Sequence, residues 1–203
     1  MTLEEKFKEV KKQIGLFLIQ DGFKKVKSHF RREFKDSRCV FLLIRPRGYS
    51  DDNMICWQLV GGIFFNALDP IFRSRILPDE QNTTLVDKRL NTTTAGEVSF
   101  WEITNDSNVA DHVEAFKKTN QQLFEQLERT ADIQQYAARS IDTYLKNPRG
   151  CALSGFLKAL ALAKMSGKQN EFDVLRKIVD ERDSDSSYVR SHLAAIQANQ
   201  TRI

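Results

Sequence analysis

The feature that most constrains this chain is a change of apolar rhythm after residue 22, followed by a change of apolar type after residue 130. Leu3, Phe7, Val10, Ile14 and Phe17 recur at steps of four and three, with Leu18 alongside, and predict one amphipathic helix. Gly22, after Asp21, is the expected stop. Beyond it the pattern shortens to alternation and to unbroken apolar runs, the signature of strands. Twelve of the 14 Phe lie in residues 1–130, whereas ten of the 14 Ala lie in residues 131–203. Bulky rings suit a sheet with a helix over it, and alanines suit closely packed helices. The expected fold class is therefore α+β. An antiparallel sheet of about five strands is flanked by an N-terminal helix and a long helix, and a small all-α C-terminal bundle follows. The expected division is a sheet domain over 1–130 and a helical subdomain over 131–203 packed on it.

Within this frame, residues 23–35 read as a single strand. Val26, Phe30 and Phe34 hold one parity, and Lys25, Lys27, His29, Arg31, Glu33 and Lys35 hold the other. Cys39–Ile44 reads as a central strand ended by Pro46 and Gly48, and Met54–Phe65 as the next, with a bulge or bend at Gly61-Gly62. Asp51-Asp52-Asn53 between them suits a hairpin turn. Thr83–Leu90 and Glu97–Thr104 suggest a further hairpin. Val109, Val113, Phe116, Leu123 and Leu127 mark the long helix, with Asp106 or Ser107 as its cap. Helices are expected at Ile133–Leu145, Leu153–Met165, Phe172–Val179 and Tyr188–Ile196.

Charge is segregated along the chain. Residues 1–47 carry 13 Lys+Arg against 6 Asp+Glu, while residues 48–130 carry 7 against 13. A basic first segment is an electrostatic footprint for an acidic partner or a polyanion. Lys24, Lys25, Lys27, His29, Arg31 and Arg32 are its densest part. Nucleic-acid binding would pair such cations with exposed aromatics, but Phe30 and Phe34 fall on the core parity. An edge strand protected by lysines is the preferred reading.

Catalytic and metal readings find little to rest on. Cys39, Cys56 and Cys151 form no Cys-x-x-Cys pattern, and Cys39 and Cys56 sit in apolar runs as buried, reduced thiols would. His29, His112 and His192 have no nucleophile signature beside them; His112 suits a partly buried, hydrogen-bonded ring. Asp79-Glu80 with Glu97-Val98-Ser99 lacks the lysine that metal-dependent nuclease chemistry wants. Gly150 and Gly155 have phosphate-loop spacing, but Phe156 stands where the lysine belongs. No cofactor and no metal is expected. Trp57 shares a parity with Leu59, Gly61, Ile63 and Phe65 and is assigned to the core. Trp101, off the parity of Val98 and Phe100, is assigned to the outer sheet face, open as a binding anchor or half-covered by the helical tail.

Gly22-Phe23-Lys24-Lys25, Phe30-Arg31-Arg32-Glu33, the apolar strand Val40–Ile44 and the strand Trp57–Phe65 with Gly61 carry a resemblance. Over about residues 3–130 the chain resembles a bacterial family known only as a domain of unknown function, departing from it where Arg45-Pro46-Arg47 replaces a Gln-Lys/Arg-Ser element. The resemblance implies an antiparallel sheet flanked by helices. Through relatives near toxin–immunity systems, it also implies an inhibitory binding role.

The function expected from all this is a non-enzymatic, bacterial, cytoplasmic protein-binding module of immunity type. It would meet a protein partner, not a membrane, through a sheet face or the groove between sheet and bundle. Its candidate binding residues are Lys25, Lys27, His29, Arg31 and Trp101. The alternatives are a nucleic-acid-associated protein using the basic strand 24–32, and an enzyme whose site is assembled from dispersed residues.

Overall fold

The computed structural model describes residues 1–45, 48, 50–72, 101–125, 127–148, 152–183 and 186–203. Its elements are an N-terminal helix, a five-stranded antiparallel sheet and a run of C-terminal helices, the α+β class that the change of rhythm predicts. The chain divides into two compact units. The described residues of the first fall within 1–63 and 101–128, and those of the second within 64–72 and 129–203.

Helix α1 (Leu3–Gln20) opens with a reciprocal cap: the Thr2 hydroxyl accepts from the Glu5 amide, and the Glu5 carboxylate accepts from the Thr2 amide at 2.7 Å. Val10, Ile14 and Leu18 are fully buried along its inner face. The strands are β1 (Lys24–Val26), β2 (His29–Glu33), β3 (Ser37–Ile44), β4 (Met54–Phe65) and β5 (Trp101–Thr104), in that spatial order. Between β3 and β4, the Asp51 side chain accepts from the Asn53 amide at 2.8 Å, closing the expected turn. The Glu97–Val98–Ser99 segment, Asp79-Glu80 and Thr83–Leu90 lie outside the described residues.

One expectation about the strands is corrected. Residues 23–35 form a hairpin, not one strand, because Lys27 adopts a positive φ of 51° and the chain reverses over Lys27-Ser28. The strand β4 runs through Gly61-Gly62 for 12 residues in all. Gly61 serves close approach: a Cβ there would lie 2.1 Å from Phe41 Cδ1 and 2.3 Å from the Val40 carbonyl oxygen.

Helix α2 (Val109–Glu125) lies beyond β5, followed by the short α3 (Leu127–Thr130). Its cap is Asn108, whose side-chain oxygen accepts from the Ala110 amide at 2.9 Å, and not Asp106 or Ser107. The Ser107 hydroxyl is engaged by the Thr104 amide at 2.9 Å. Lys6 joins α1 to this connection, donating to the carbonyls of Asn105 at 2.6 Å and Ser107 at 2.8 Å.

The second unit contains α4 (Ile133–Lys146), α5 (Leu153–Met165), α6 (Gln169–Asp183) and α7 (Ser187–Ala198). Helix α5 is its axis, with Phe156, Leu157, Ala159, Leu160, Ala161, Leu162 and Ala163 all fully buried. Alanines let its neighbours approach, and Gly155 lets Tyr144 of α4 lie against the backbone. Lys164 donates to the Ile196 and Gln197 carbonyls at 2.6 and 2.5 Å, completing the C-terminal end of α7. In the same unit the His192 ring packs against Phe72, centroids 5.2 Å apart and tilted by 30°.

Candidate functional site

The end of α1 determines where the basic segment emerges. Gly22, at φ 87°, turns the chain, and the Phe23 amide donates to the Leu18 carbonyl at 3.0 Å. Phe23 is then buried against Phe41, ring centroids 5.1 Å apart. The next three residues, Lys24-Lys25-Val26, are exposed throughout and form the end strand of the sheet among the described residues. Lys27 and Ser28 at the turn are exposed as well.

The structure disperses the six expected cations. In the hairpin register Lys25 stands opposite Phe30, Lys24 opposite Arg31, and Val26 opposite His29. Lys24, Lys25 and Lys27 remain at the surface, but His29 is 3% exposed and its Nε2 finds no hydrogen-bond partner. His29 is thus withdrawn from the expected charged face. Arg31 is half-buried and pairs with Glu33. Arg32 is a tie: it donates to the Asp21 carbonyl at 3.0 Å and to Glu128 at 2.9 Å, with its guanidinium over the Phe34 ring. Burial pushes the Asp21 carboxyl up, against the pull of Arg32. Phe30 is buried under Gly15.

Trp101 is also corrected. It lies on the inner face of β5, paired across the sheet with Trp57 and stacked on it at 5.9 Å, with Phe116 of α2 at 5.6 Å. Helix α2 covers it and leaves it half-buried, so it is not an outward-facing anchor on the outer sheet face. Trp57 is fully buried, as its parity requires. Its indole N–H donates to His112 Nε2 at 3.1 Å. An imidazole that accepts at Nε2 is neutral, with its proton on Nδ1. Burial holds the His112 pKa below the usual histidine value.

This arrangement makes the first unit sensitive to acid. The unfolded ring takes up a proton near pH 6.5, whereas the folded ring resists it. The contribution from His112 is therefore complete above about pH 6.5 and declines as pH falls toward the lower folded value. Both tryptophans of the chain lie in the first unit, so their fluorescence follows its unfolding. Urea titrations read this way at pH 7.5 and 5 are expected to show a lower midpoint in acid, with a smaller loss in His112→Gln. An equal loss in both proteins contradicts the assignment.

Residues that the candidate set missed complete the surface. Leu16 and Ile19 of α1 are 51% and 47% exposed, and Lys8, Lys11 and Lys12 are exposed on the same helix. Lys11, Gly15 and Ile19 succeed one another at turns of four, and Gly15 touches Phe30, the cross-strand neighbour of Lys25. Ile19 and Lys11 thus flank the side of α1 that covers the hairpin. A signal was present in the sequence: Leu16 and Ile19 are apolar residues off the buried stripe.

An open groove of about 420 Å³ runs between α1 and α2 over Phe17 and Phe124. Its charged rim is largely self-satisfied, with Lys117 paired to Glu114 at 2.6 Å and Gln121 donating to Glu125 at 2.7 Å. The buried thiol Cys39 is pushed up by desolvation, as Cys56 is to a lesser degree, which makes both poor nucleophiles. Among the described residues no group of three or more His, Cys, Asp or Glu is placed to hold a metal ion, and no helix is long and apolar enough to cross a membrane.

Comparison with known protein families, with curated proteins and with solved structures returns no match.

Proposed function

We propose that the chain is a non-enzymatic protein-binding module that meets its partner at the β1–β2 hairpin and the adjoining outer side of α1. The observation that carries this reading is the joint exposure of Lys24 and Lys25 on an end strand, and of Lys27 in its turn, with Leu16 and Ile19 on the helix beside it. Apolar side chains ringed by like charges favour a partner that brings both apolar contacts and opposite charge. His112 supports a structural rather than a catalytic role, since its Nε2 lone pair is engaged by Trp57. An immunity-type inhibitor in a bacterial cytoplasm is the specific form we favour, in line with the family resemblance. The nucleic-acid alternative is less well served. Of the aromatics in the basic segment, Phe30 is buried and Phe34 has Arg32 over one face, which leaves little aromatic surface for stacking.

Capture of tagged protein from native lysate, with and without nuclease, separates these readings. The expected result is a protein retained at equal stoichiometry after nuclease treatment. Material that is lost with nuclease, and that dissociates steeply with salt, contradicts the proposal in favour of nucleic acid.

A further inference from the structure

Strand β1 offers more than charge, because its outer edge carries backbone groups. Val26 and His29 flank the two-residue turn at Lys27-Ser28 and form the pair that closes it. Hydrogen-bonded and non-hydrogen-bonded pairs alternate along an antiparallel ladder, so the next pair, Lys25 with Phe30, exchanges no ladder bonds. The N–H and C=O of Lys25 therefore point away from β2, toward the side where no described strand is paired. Lysines on such an edge discourage self-association, since like charges would meet across the new ladder. The same lysines favour a strand of opposite charge.

The neighbouring helix adds selectivity. Lys25 and Phe30 share the face of the sheet that packs on α1, with Gly15 directly over the Phe30 ring. Ile19, one turn beyond Gly15, stands half-exposed on that side, with Lys11 one turn before it. A strand added outside β1 would alternate its side chains. One set would meet Ile19 beside Lys11 and Lys25, and the other would meet the side carrying Lys24 and Val26.

We infer that β1 takes up an extended, acidic segment of a partner protein as a further antiparallel strand, with apolar side chains of that segment set against Ile19. This inference rests on the protein-binding reading and narrows it to one partner chemistry and one mode, strand addition. Docking by charge alone, or binding of a single-stranded nucleic acid, would leave the Lys25 amide without a new partner.

The test uses the full chain and a short synthetic peptide of alternating Glu and Val. Three comparisons accompany it: the same peptide with alternate backbone amides N-methylated, a peptide of alternating Lys and Val, and an oligothymidylate. Binding is monitored by NMR, and exchange of the Lys25 amide is measured with and without saturating peptide. The inference expects the acidic peptide to slow exchange at Lys25 by at least about tenfold, as a new ladder hydrogen bond does. It also expects N-methylation, or Lys24→Glu with Lys25→Glu, to weaken binding by about tenfold or more. Unchanged tryptophan emission verifies that this double variant is folded. Equal binding of the N-methylated peptide overturns strand addition. Tighter binding of oligothymidylate overturns the partner class, and no binding of the acidic peptide overturns the inference as a whole. A nuclease-resistant partner that the charge-reversed protein still retains would refute this mode while leaving the protein-binding reading standing.

Discussion

Replacing Gly61 by alanine is expected to lower the stability of the first unit by about 3 kcal/mol. The added methyl would meet the Val40 carbonyl oxygen at 2.3 Å and the Phe41 ring at 2.1 Å, and the oxygen belongs to the neighbouring strand. A flexible side-chain tip can swing aside, but a ladder carbonyl moves only with its strand. Phe41 cannot yield freely either, because it packs on Phe23 at 5.1 Å and Phe124 at 5.8 Å. Domains are stable by only about 5–15 kcal/mol, so a loss of this size is a large share of the total. Urea unfolding monitored by tryptophan emission checks it: the midpoint should fall sharply, with little change in slope. A midpoint within error of the parent would show that β3 and β4 are not apposed at this position.

A larger loss, about 4 kcal/mol, is expected for Trp57→Ala, which empties the most voluminous fully buried side chain of the sheet face under α2. Trp57→Phe separates the two parts of that effect. It keeps most of the contact with Trp101 and Phe116 but removes the N–H that His112 accepts. The half-buried imidazole can then turn to water, so Trp57→Phe should cost about 1–2 kcal/mol. The acid sensitivity assigned to His112 should also shrink, because protonation no longer breaks a hydrogen bond. Trp57→Ala and Trp57→Phe costing the same would place the energy in the hydrogen bond rather than in the packing.

Long, strongly periodic segments were legible from the residues alone. Met54–Phe65 and Leu153–Met165 appear with the bounds that their apolar runs suggested, and α1 continues its predicted stripe to Gln20. In each, many side chains contribute to one outcome, so no single residue decides it. The hairpin at residues 24–33 was hidden because its reversal depends on Lys27 at a positive φ, where glycine or asparagine normally signals a turn. That reversal shifts every parity after it. His29 moves to the interior, and the charged face read from alternation dissolves into three exposed lysines, one buried ring and two paired arginines. Trp101 was misplaced by a parity carried over from Val98 and Phe100, whereas its pairing with Trp57 determines its face. The candidate surface was half legible. Its lysines were visible as a charge cluster, but its apolar part needed the helix and the hairpin side by side, a juxtaposition that no local pattern encodes.

On the proposed reading, the hairpin edge and the outer side of α1 hold a protein partner. The most direct measurement of that surface compares the parent chain with the Lys24→Glu, Lys25→Glu and Ile19→Ser variants, each shown by tryptophan emission to be folded. Each is used to capture its partner from nuclease-treated native lysate at matched salt. The account predicts a stoichiometric protein with the parent, reduced by about tenfold or more with each variant, because each removes a contact at the centre of the surface. Equal recovery with all four proteins would contradict it and place the binding surface elsewhere on the chain.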